Sequence, residues 1–63
     1  MDWDEIMKMK DPHEALKAMD RKVEAEDISL VEMEEMVLKY AKLRRITVDE
    51  MAFYPNGERV LNG

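Results

Sequence analysis

A chain of 63 residues with 15 acidic and 10 basic side chains, a formal net charge of −5 and no cysteine excludes a disulfide framework and a thiolate zinc site. Its size allows one domain, residues 1–63, with a small core. No apolar run approaches the length that crosses a bilayer. The opening Met1-Asp2-Trp3-Asp4 is acidic where a secretory signal would be basic, so a cytoplasmic chain is expected.

Four helix starts can be read from capping chemistry. Asp2 with Glu5 has the spacing of a capping box and predicts a helix over about 2–10. Asp11-Pro12-His13-Glu14 is the stronger start, with an Asx cap and proline at the first helical position, where its missing N–H costs nothing. It predicts a helix over 12–26. Its apolar stripe is narrow: Ala15, Met19 and Val23, with Leu16 beside them. His13 falls on the polar side of the first turn and is expected to be solvated.

Ser29-Leu30-Val31-Glu32 is a capping box and opens a helix over 30–44. Here Leu30, Val31, Met33, Met36, Val37, Leu38, Tyr40, Ala41 and Leu43 cover roughly two thirds of the helical wheel. A helix so widely apolar is either central in its domain or buried on two sides. Thr47-Val48-Asp49-Glu50 is a further capping box and predicts a short helical turn at 48–52. The tail places Pro55-Asn56-Gly57 between Ala52-Phe53-Tyr54 and Glu58-Arg59-Val60-Leu61. Proline presets φ, and asparagine and glycine accept the turn positions, so a small β-hairpin closing about Tyr54 and Glu58 is expected, packed on the helices through Phe53 or Val60 and Leu61. The fold class is therefore mainly α: a compact bundle of three short helices, a short fourth helical turn and a small C-terminal β-hairpin.

Charge is unevenly spread. Residues 1–36 carry 12 acids and five bases, whereas residues 37–63 carry three acids and five bases. The acidic half opposes a phosphate backbone, which leaves Lys39, Lys42, Arg44 and Arg45 as the candidate phosphate contacts. The simpler role of these cations is to complement the negative end of the third helix.

The residue inventory is poor in chemistry. The one serine, Ser29, and the one threonine, Thr47, are used as caps, and the only glycines, Gly57 and Gly63, make no phosphate-binding loop. Glu24, Glu26 and Asp27 lack the alternation and glycine of a calcium-binding loop. Glu32 and Glu35, one turn apart, with Asp49 or Glu50, resemble the acidic rows of magnesium-dependent helical nucleotide hydrolases, of which this chain could only be a fragment. The order helix, turn, helix, hairpin also fits a winged helix-turn-helix DNA-binding protein, although its would-be recognition helix opens with Glu32, Glu34 and Glu35.

The reading that absorbs most of these features is a small acidic, non-enzymatic binding or regulatory protein with no cofactor and no metal. The size and charge suit a phage-encoded or accessory regulator or inhibitor of a larger protein. Its expected partner is another protein or a second copy of the chain, rather than nucleic acid or a membrane. The expected interface joins Trp3, Ile6 and Met7 of the first helix to Met33, Met36, Val37, Tyr40 and Leu43 of the third, with Glu32 and Glu35 as a carboxylate rim. The seven methionines suit either an adaptable surface or a core short of aromatic residues.

Overall fold

A computed structural model describes residues 1–61. Four helices follow one another in the chain: α1 (Trp3–Met7), α2 (Pro12–Glu26), α3 (Leu30–Arg44) and α4 (Val48–Ala52). Three of the four begin as the local chemistry dictates. The Asp11 carboxylate accepts from the His13 N–H, with Pro12 at the first helical position. Ser29 Oγ accepts from the Glu32 N–H, and Thr47 Oγ1 from the Glu50 N–H. Each bond satisfies one of the free donors that every helix start leaves.

Helices α2 and α3 also end alike. Asp27 (φ 51°) and Arg45 (φ 56°) adopt the left-handed conformation without being glycine. The next amide then reaches back five residues, from Ile28 to the Val23 carbonyl and from Ile46 to the Ala41 carbonyl. This is the pairing of a Schellman motif, in which the isoleucine after the left-handed residue packs back on the helix it terminates.

Helix α1 departs from expectation twice. It ends at Met7 instead of running to residue 10, and the Asp2 side chain makes no capping bond. Tertiary donors account for the early end. The Arg44 guanidinium donates to the carbonyls of both Met7 and Met9, at 2.9 Å each. The Tyr40 hydroxyl donates to the Met9 carbonyl as well. With those oxygens held by α3, the chain after Met7 has no need of a further helical turn to satisfy them.

The hub is α2, not α3. Helix α2 packs on α1, α3 and α4, whereas the main packing partners of α3 are α2 and α4. The core consists of Ile6 from α1, Ala15, Leu16, Ala18 and Met19 from α2, Val37, Tyr40 and Ala41 from α3, Met51 from α4, and Val60. Small alanines on α2 let its neighbours approach from more than one side, which is why a helix with a narrow stripe can serve three contacts. Trp3 anchors α1 on α2: its ring lies 5.4 Å from the Lys22 ammonium, which also pairs with Glu26.

The expected β-hairpin does not form. The Tyr54 N–H donates to the Glu58 carbonyl and the Gly57 N–H to the Tyr54 carbonyl, both at 2.8 Å, and Gly57 takes φ +85°. The turn about Pro55-Asn56-Gly57 is therefore present, but among the described residues it is flanked by no strand, only by a single bridge between Phe53 and Arg59. The reason is positional. Helix α4 runs to Ala52, so only Phe53 and Tyr54 remain on that side of the turn. On the other side the Val60 N–H returns to the Ala52 carbonyl at the end of α4, and the Val60 side chain enters the core. Phe53 stays exposed and Leu61 is half-buried against the core.

Candidate functional site

The sequence-predicted interface is divided by the fold. Ile6, Val37 and Tyr40 are in the core, where they hold α1, α2 and α3 together. Trp3, Met7 and Met33 are half-buried against that core, and Met36 is half-buried as well. Leu43, Glu32 and Glu35 are exposed on α3. These residues do not make one open surface, because Tyr40 is fully buried and its hydroxyl, with Arg44, holds the Met7–Met9 segment.

The open apolar surface of α3 lies on a different arc. Leu30 is 73% exposed, Val31 65% and Leu38 59%, three large aliphatic side chains left in solvent on one helix. Leu30 and Leu38, with Met33, Val37 and Val48 of α4, border a groove of about 440 Å³ whose one charged wall residue is Glu34. Asp49 and Glu50 begin α4 but line a separate hollow beside His13 and Tyr54. The chemistry of the groove is apolar with a carboxylate edge. It offers area to an aliphatic or aromatic anchor and attraction to a cation beside it. Leu30, Val31, Leu38, Val48 and Glu34 are absent from the interface expected from sequence. A signal for them was present: once Met33, Val37, Tyr40 and Ala41 are assigned to the core by period, Val31 and Leu38 fall about a quarter-turn outside it.

The four candidate phosphate contacts are also separated. Arg44 is committed to the carbonyls of Met7 and Met9 and lies 5.4 Å from the Tyr40 ring, so it fastens α1 to α3. Arg45 is the left-handed cap of α3, while Lys39 and Lys42 are exposed along it. Lys42 and Arg44 occupy the last turn, where cations complement the helix dipole.

His13 is not the solvated residue that its position on α2 suggests. Its side chain is only 19% exposed. Nε2 lies 3.1 Å from the Glu50 carbonyl and 2.9 Å from the Phe53 carbonyl, so as a donor it bridges both and ties the start of α2 to the end of α4. Tyr54 packs beside the ring at 4.7 Å, and Lys17 lies 5.5 Å from the Tyr54 ring. Contact with the Tyr54 side chain, more than the nearby Glu14 carboxylate, raises the Lys17 pKa above its ordinary value.

Among the described residues no three histidine or acidic side chains gather into a group that could hold a metal ion. Glu32 and Glu35 are exposed on α3, and among the described residues they join no such group. No helix among the described residues is long and apolar enough to cross a membrane. Compared with known protein families, curated proteins and solved structures, the chain shows no match.

Proposed function

We propose that the protein is a small acidic, non-enzymatic protein-binding module that docks another polypeptide through the apolar face of α3 and the adjoining edge of α4. The observation that carries this reading is the open groove bordered by Leu30, Met33, Leu38 and Val48. Leaving Leu30, Val31 and Leu38 in water forgoes stabilisation of about 1.5–3 kcal/mol for each side chain that could have been fully buried. In a domain of this size, whose total stability is small, that omission suits a surface that is covered by something else. The Glu34 carboxylate at the edge favours a cation beside the anchor, and the acidic surface discourages nucleic acid.

The reading is tested by placing a photocrosslinking residue at position 38 in the cells that make the protein. Discrete adducts, with another protein or with a second copy, are expected, and Leu30→Asp should abolish them while the helical circular dichroism signal survives. Absence of any discrete adduct at position 38 would overturn the reading.

A further inference from the structure

Helix α3 carries a second pattern on its exposed side. Val31, Leu38 and Arg45 recur every seven residues, with Glu34, Glu35 and Lys42 between them. All six are exposed. At 100° per residue the five that lie within α3 fall within an arc of about 100°, and Arg45 caps the end of the helix. The strip changes sign midway. Its N-terminal half holds Glu34 and Glu35, and its C-terminal half Lys42 and Arg45, with Leu38 at the centre. The flanking charges follow the same division, with Glu32 before the centre and Lys39 after it. Among the described residues the lysine–carboxylate ion pairs are Lys17–Glu14 and Lys22–Glu26, so Glu34, Glu35 and Lys42 of the strip make no ion pair there.

We infer that this strip is the contact surface for a second copy of the chain, docked with the two α3 helices antiparallel and Leu38 on the two-fold axis. The inference rests on the reading above and names its partner. Rotation about Leu38 places Leu38 against its own symmetry mate. It sets Glu34 and Glu35 of one copy opposite Lys42 of the other, and this contact occurs twice. Such a surface is self-complementary, as a two-fold interface must be. The parallel arrangement would align like charges along the whole helix and is disfavoured. A uniformly basic partner helix would satisfy Glu34 and Glu35 but meet Lys42 and Arg45 at the other end, and a nucleic acid would meet the reverse conflict. The sign change is what singles out a copy of the same helix run backwards. Because the strip is a single helix about 22 Å long, the dimer is small and dissociates on dilution.

The test is the solution mass of the full chain by sedimentation, from micromolar to millimolar concentration, with three variants. The wild type should pass from monomer to dimer, and Leu38→Glu should remain monomeric at every concentration. Glu34→Lys and Lys42→Glu should each weaken dimerisation by about tenfold or more, because each turns two attractions into two repulsions. Mixed in equal amounts, these last two should form a heterodimer in preference to either homodimer, since both inter-helix contacts are then again of opposite sign. That preference is a readout that loss of folding cannot produce. A wild type monomeric up to millimolar concentration would overturn the inference, and the crosslinks at position 38 would then decide the wider reading separately. A dimer indifferent to Leu38→Glu and to the charge exchange would overturn both, because the contact would lie on another face.

Discussion

Helices α2 and α3 are each 15 residues long, open with a side-chain cap and close with a left-handed residue followed by isoleucine, yet they solve opposite problems. Helix α2 is the less apolar of the two and spends almost everything it has: Ala15, Leu16, Ala18 and Met19 are all buried, and no large aliphatic side chain is left exposed. Helix α3 is far more apolar and buries only Val37, Tyr40 and Ala41, leaving Leu30, Val31, Leu38 and Leu43 in solvent. Apolar content therefore does not rank helices by their importance to a core. Geometry does: α2 contacts all three other helices through small side chains, whereas α1, α2 and α4 together cover only part of the α3 circumference. The surplus on α3 is what the proposed function draws on.

The contrast can be broken at its two extremes. Met19→Ala empties a fully buried site on α2 and should cost about 2–5 kcal/mol, a large share of what a domain this small possesses. Leu38→Ala, on the exposed arc of α3, should stay within about 0.5 kcal/mol when measured at dilution, where the chain is monomeric. Urea unfolding followed by circular dichroism checks both, and equal losses would mean that Leu38 belongs to the fold.

A smaller effect separates the cations of α3 from one another. Arg44→Ala removes charged hydrogen bonds to the Met7 and Met9 carbonyls and should destabilise by about 1–2 kcal/mol, whereas Lys42→Ala should be close to neutral in the monomer. Hydrogen exchange at the residue 8 and residue 9 amides sharpens this, since protection there should fall only in Arg44→Ala.

The smallest effect concerns charge pairing, of which α2 holds two pairs, Lys17–Glu14 and Lys22–Glu26, and α3 none among the described residues. The hydrogen bond from Lys22 lowers the Glu26 pKa below the ordinary glutamate value. A group whose pKa is lowered by folding stabilises the native state above its unfolded pKa and loses that contribution as pH falls through the folded one. Wild type should therefore exceed Glu26→Gln in stability near neutral pH by a small margin, because the pair is exposed, and the margin should vanish below the glutamate range. A margin that persists in acid would assign it to packing rather than charge.

Much of the chain could be read residue by residue. The bounds of α2, α3 and α4 follow from Asp11, Ser29 and Thr47 at their starts, since a cap acts over three or four residues and needs no knowledge of the rest of the molecule. The turn at Pro55-Asn56-Gly57 is local in the same way, and so was legible. The strands expected beside it were not, because pairing depends on how much extended chain α4 and the core leave over. The candidate site was the least legible part. Periodicity identified α3 as too apolar for one face, but it assigned Ile6, Val37 and Tyr40 to a partner when the fold uses them itself.

Local chemistry alone sets where the helices begin, where the tail turns, and that α3 carries more apolar surface than a helix of its length needs. Only the tertiary structure decided which arc of α3 is closed and which is open. That decision rests on contacts between residues more than thirty positions apart, the Tyr40 hydroxyl and the Arg44 guanidinium on the carbonyls of Met7 and Met9. They hold the Met7–Met9 segment to one side of α3 where α1 ends, and the side that carries Val31 and Leu38 faces water.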